Sequence, residues 1–185
     1  MEAPVAPLPQ SLLRIADLAT RRATDFDLTP TADERRAVAD VLGIVGVKKL
    51  RFSGQLAPLD RTDWELTATL GATVVQDCVV TLAPVTTRID EPLKRTYLAA
   101  MPAIEAAEVE MPDDDTIEAL PATLDLAQVM IEALALALPL YPRADGADLG
   151  RAVFTQPGTA PMTDDDAKPF AGLGALRDSI GKKDT

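Results

Sequence analysis

Histidine is absent from this 185-residue chain, and with it go the commonest general base and the commonest biological metal ligand. A Ser–His–Asp or Cys–His nucleophile therefore has no place within one chain. Cysteine occurs once, as Cys78. That excludes an internal disulfide, fits a reducing compartment and leaves a structural zinc site three ligands short. Aromatic residues make up only 4% of the chain, so the core must be aliphatic. Long apolar runs are missing as well. The longest, Leu124 to Leu138, carries Asp125 and Glu132 and is too short to span a bilayer. The opening MEAPVAPLPQ lacks the basic start and apolar stretch of a secretory signal. These absences predict a cytoplasmic protein with no membrane segment.

Motifs that would carry chemistry are equally scarce. Gly172-Leu173-Gly174 begins a dinucleotide-type glycine pattern, but Arg177 stands at the third glycine position. Gly181-Lys182 lacks both the first glycine and the hydroxyl residue of a phosphate loop. The acidic runs Asp113–Asp115 and Asp164–Asp166 lack the spaced ligands and turn glycine of a calcium loop. No metal and no cofactor are expected, and no small-molecule substrate.

What is present begins with charge. The net charge is −11, unevenly spread. Residues 105–185 carry sixteen Asp/Glu against six Lys/Arg, whereas residues 1–60 carry eight of each. The acidic half repels polyphosphate at long range, so any nucleic-acid contact falls to the first hundred residues.

The apolar fraction, 47%, suits a chain that builds a real core. Thr31 with Glu34 three residues later is a capping-box pattern, and Gly43 stands at the far end, so 31–43 is read as a helix with Ala37, Val38, Val41 and Leu42 as its apolar stripe. The period then changes from 3.6 to 2. Leu50, Phe52 and Leu56 alternate with polar residues, as do Trp64, Leu66, Ala68, Leu70, Ala72 and Val74. This predicts half-buried strands joined by a turn at 58–63, with a third strand over 85–98. Residues 11–28 fit a strand entering a short helix, and Ile104–Val109 a short edge strand.

The stretch Leu124–Leu138 has three polar residues, Asp125, Gln128 and Glu132, which at helical pitch fall within an arc of about 60°. Such a helix keeps one thin polar strip and hides the rest. Its eight large apolar side chains stabilise a core by at most roughly 10–20 kcal/mol, which places it in the domain interior. Asp125 suits its N-cap, with Gln128 completing a capping box. Pro139 and Pro142 end it. Past 143 the chain is rich in Gly, Pro, Asp and Thr without periodicity until Phe170, Leu173, Leu176 and Ile180 restore helical spacing.

These signals predict an α+β fold: an antiparallel β-meander, open or curled into a partial barrel, with two main packed helices. The organisation is a flexible arm over 1–10, one domain over 11–142, a disordered acidic linker over 143–168 and a short amphipathic docking helix over 169–180. Lys49 and Arg51 share the outward face of one strand, and Arg88, Lys94 and Arg95 lie on the third. If the meander curls, they form one basic surface for RNA or a partner. Solvated strand charge is the plain alternative.

Several segments, read in order, resemble one family. They are ADERRAVAD in the first helix, VVQDCVVTLAPV around Cys78, the acidic IDEP, LDLAQVMIEALALALPLYP and the closing KPFAGLGAL. Over about residues 10–178 the chain is similar to the YceD family, the large ribosomal RNA subunit accumulation proteins of bacteria and plastids. Its signature positions here are Cys78, Asp125, Glu132, Pro139, Pro142, Pro169, Phe170 and Leu173. The resemblance implies a non-enzymatic factor needed for accumulation of large-subunit (23S) ribosomal RNA. Its partner would be a ribosomal protein or a processing factor, which the acidic C-terminal half favours, with precursor RNA, met through the N-terminal half, in second place. Many members carry Cys-x-x-Cys at the central turn; here Val79, Val80 and Thr81 follow Cys78, so a metal or redox role of that pair is not available. The rival readings are a small hydrolase built on Asp125 and Glu132, and a protein-interaction adaptor unrelated to ribosomes.

Overall fold

The computed structural model describes residues 7–101 and 116–148, with 150, 156 and 158. The secondary structure lies within a unit ending at Ala147. A second unit, 148–185, is described only at Asp148, Gly150, Gln156 and Gly158. Pro169, Phe170, Leu173 and the expected docking helix lie outside the described residues, as do most of the expected linker and the suggested strand Ile104–Val109.

The chain begins with a short strand β1 (Leu12–Arg14), a 3₁₀ turn (Ile15–Asp17) and β2 (Thr24–Leu28). Helix α1 (Ala32–Leu42) starts where the sequence directs. The Thr31 hydroxyl accepts from the Glu34 amide, the Glu34 carboxylate accepts from the Thr31 amide, and Gly43 closes the helix in the left-handed region at φ 64°. Its buried residues are Ala37, Val38 and Ala39; Val41, expected in the stripe, is 62% exposed. Leu42 packs against the core as the stripe predicts, so only Val41 departs from it, and Ala39 is buried on the other side of Val38.

Three long strands follow: β3 (Gly46–Pro58), β4 (Trp64–Asp77) and β5 (Pro84–Leu98). They pair antiparallel, with Leu56 opposite Leu66 and Ala72 opposite Ile89. Next come β6 (Ile117–Ala119), β7 (Thr123–Asp125) and helix α2 (Leu126–Ala137). The main sheet has the order β2-β3-β4-β5-β6, with β6 parallel to β5. It stays open, which corrects the partial-barrel alternative. β2 and β6 are its two edges, and the three-residue β6 offers too short a ladder to close a ring.

Alternation decides the two faces. Phe52, Leu56, Leu66, Leu70 and Val74 are fully buried, and α2 covers them with Leu126, Met130 and Leu134, also fully buried. At roughly 1.5–3 kcal/mol for each such side chain, α2 belongs to the core. β1 pairs with β7 and ties the N-terminal segment to the start of α2, with the Leu126 amide donating to the Ser11 carbonyl at 2.9 Å. Among the described residues no helix covers the opposite face of the sheet as α2 covers this one. Not all of the apolar surface of α2 is hidden: at its last turn Leu136 is 84% exposed, in line with the polar strip.

Candidate nucleic-acid interface

The open face carries a groove of about 510 Å³. It is lined by five cations, Arg35, Lys48, Lys49, Arg51 and Arg88, and by one acid, Asp90. β3 supplies three of the five because its register shifts between Val47 and Lys49. A bulge there inserts one extra residue, so Lys48 and Lys49 both line the groove. Lys48 Nζ reaches across to Thr86 Oγ1 at 3.0 Å.

Two arginines are held by carboxylates. Arg51 donates from Nε and Nη2 to the Asp27 oxygens at 2.9 and 2.6 Å. Arg88 makes the same two-point contact with Asp90. Hydrogen bonding to its arginine holds each carboxyl below the usual aspartate range. Arg35, from α1, bonds the carbonyls of Pro30 at 2.6 Å and Val47 at 3.3 Å. Gly71 lies between Arg51 and Asp90 in the strand register and leaves room for the Arg88 guanidinium above the sheet. A concave surface dominated by one sign of charge concentrates counter-ions of the other, and this one suits phosphate.

Lys49, Arg51 and Arg88, named from sequence, are thus brought together. Lys94 shares their face but lies outside the groove, paired with Glu65 at 2.9 Å. Arg95 is elsewhere. It points to the α2 side, where Nη1 sits 3.0 Å from Glu118 and 3.1 Å from Glu132, and its side chain is only 13% exposed. The sheet does not curl, so strand parity alone sets the face, and Arg95 shares parity with the buried Ile89 and Tyr97. Sequence reasoning missed Arg35 and Lys48. For Lys48 a signal existed: the buried Val47 and Leu50 are three residues apart, which strict alternation does not allow. For Arg35 none did, since nothing local says where α1 lies against the sheet.

The carboxylates of the hydrolase reading are engaged in structure. Asp125 caps α2, its Oδ1 accepting from the Ala127 amide at 3.0 Å and the Ser11 amide at 2.9 Å. Gln128 does not complete a box there; its Nε2 donates to Glu132 at 3.1 Å. Glu132 therefore meets Arg95 of its own chain.

Cys78 sits in the turn after β4, fully buried. The amides of Val80, Thr81 and Ala144 all donate to Sγ at 3.4 Å. The Thr81 hydroxyl is the largest influence on the thiol; with these amides it outweighs the cost of enclosing charge and lowers the pKa from 9.0 to about 6. The same turn anchors the end of α2: the Val79 amide donates to the Pro142 carbonyl at 2.9 Å, and Gln76 Nε2 to the Pro139 carbonyl at 3.1 Å. Both prolines thus hold the chain against Cys78.

Among the described residues no helix is long and apolar enough to cross a membrane, and no group of three or more His, Cys, Asp or Glu is placed to hold a metal. No curated protein and no solved structure matches the chain. One family's sequence model does match, over residues 66–177, more than half of the chain. The match begins inside β4, so it is narrower than the resemblance read from residue 10. Cys78, Arg88 and α2 fall within it; α1, Lys49 and Arg51 precede it. By this match the chain belongs to the family described as large ribosomal RNA subunit accumulation protein YceD.

Proposed function

We propose that this chain is a cytoplasmic, non-enzymatic factor that supports accumulation of large-subunit ribosomal RNA by contacting precursor RNA through the groove on its open sheet face. Membership of the family supports the ribosomal role. The observation that supports RNA contact is the gathering of five cations around one groove in a chain of net charge −11. A second reading, a basic ribosomal protein as partner, has its own support in the sixteen acids against six cations of residues 105–185.

Fluorescence anisotropy with a fragment of large-subunit precursor RNA tests the first reading. Binding is weak and falls steeply with salt, with a log–log slope of about −2 to −4 for three to five phosphate contacts. Replacing Lys49, Arg51 and Arg88 together by alanine reduces the slope by about 2–3. Tight binding insensitive to salt, or no binding at all, contradicts the reading, and the latter moves the weight to the protein partner.

A further inference from the structure

The groove has cations but little with which to read a base. Among the described residues no aromatic side chain lines it. Single strands held without sequence preference rely on bases stacking on such rings. No glutamine among the described residues lines it either, and the chain contains no asparagine, so the described lining lacks the usual two-point contact to adenine. Arg51 donates from Nε and Nη2 to Asp27, and Arg88 from Nε and Nη2 to Asp90. A guanidinium carries five N–H groups, so each arginine keeps both on Nη1 and the second on Nη2 for phosphate oxygens. That edge also fits a guanine in an open groove, but the deep, narrow major groove of double-helical RNA keeps base edges from side chains. The remaining polar lining includes the side chains of Thr29, Ser53 and Thr69, groups that bond phosphate and sugar equally well.

The cations stand on α1, β3 and β5, elements of the folded core. A single strand must be ordered before it meets so fixed an array, at a cost in entropy that stacking normally offsets. A double helix presents its phosphates already in rows. We infer that the groove binds the sugar–phosphate backbone of double-helical RNA, without regard to sequence. This rests on the reading above that the groove meets RNA, and it names the form of RNA.

The test is anisotropy titration of the full chain with three labelled probes: a mixed-sequence RNA duplex of roughly 16 base pairs, the length one double-strand-binding module spans, a duplex of the same composition in scrambled order, and an unstructured oligouridine. The duplexes bind about tenfold or more tighter than the single strand, and agree with each other within about twofold, because only backbone is read. Arg51→Ala with Arg88→Ala reduces the duplex salt slope by about 2, whereas Lys94→Ala, on the same face outside the groove, reduces it by less than about 1. Oligouridine binding as tightly as the duplexes, or a tenfold difference between the two duplexes, overturns this inference and leaves RNA contact standing. Failure of all three probes to bind overturns both. A double variant that binds like the wild type overturns the groove as the site.

Discussion

The guanidinium of Arg88 lies over the backbone of Gly71, with Nη2 3.0 Å from the place a β-carbon on residue 71 would occupy. The absent side chain therefore shapes the middle of the groove. Gly71 has no positive φ, so alanine fits the backbone, and the atom in its way is the tip of a long side chain. Gly71→Ala should leave the melting temperature near that of the wild type, its effect on the unfolded chain being at most about 1 kcal/mol. It should push Arg88 off Asp90 and weaken RNA binding severalfold. Unchanged affinity in anisotropy would separate Arg88 from the binding surface.

Gly54 behaves in the opposite way. A β-carbon there would stand 2.2 Å from the Thr67 carbonyl oxygen and 2.5 Å from the Ala68 α-carbon, both backbone atoms that can move only with the strand. Gly54→Ala should cost about 2–4 kcal/mol in chemical denaturation. A cost below about 0.5 kcal/mol would show that β3 and β4 pair less closely than the structure has them.

Asp125 and Glu132 separate a structural strip from a hydrolytic pair. Asp125→Ala removes the cap of α2 and an acceptor for the Ser11 amide, and should cost about 1–2 kcal/mol. Glu132→Ala leaves Arg95 its contact with Glu118, and should cost about 1 kcal/mol or less, since both acids are half exposed. Turnover of an ester or phosphodiester by the wild type that either change abolishes would restore the enzyme reading.

Cys78 makes stability depend on pH in a defined direction. Its pKa falls from 9.0 to about 6 on folding, so the folded state favours the thiolate. The resulting stabilisation is complete above about pH 9, shrinks as pH falls through the interval, and is gone below about pH 6. Thiolate absorbance should titrate near 6 in the folded protein and near 9 in denaturant, and Cys78→Ala should flatten the rise in melting temperature between those values. A folded midpoint at or above 9 would mean that enclosing the charge outweighs Thr81 and the three amides.

Where the sequence was legible, the cause was local. The ends of α1 follow from Thr31, Glu34 and Gly43, each within a turn of the bond it makes. The faces of β4 follow from alternation, which also puts Lys49 and Arg51 together outside. Arg95 obeys the same parity, and only the idea of a curled sheet displaced it to the basic patch. Other features depend on partners far along the chain. β1 pairs with β7 more than a hundred residues away, Leu12 opposite Asp125, and three-residue strands carry too little pattern to announce that. The groove itself needs β3, β5 and α1 assembled, so Arg35 could not be assigned to it before the fold was known.

The central claim is that the chain supports ribosomal RNA by presenting this basic groove. Its most direct test replaces the cellular copy with the Lys49→Ala, Arg51→Ala, Arg88→Ala variant, once melting and immunoblotting show it folded and equally abundant, and measures the ratio of large- to small-subunit ribosomal RNA. The account predicts a fall in that ratio matching depletion of the protein. A ratio equal to the wild type, from cells in which depletion lowers it, would contradict it.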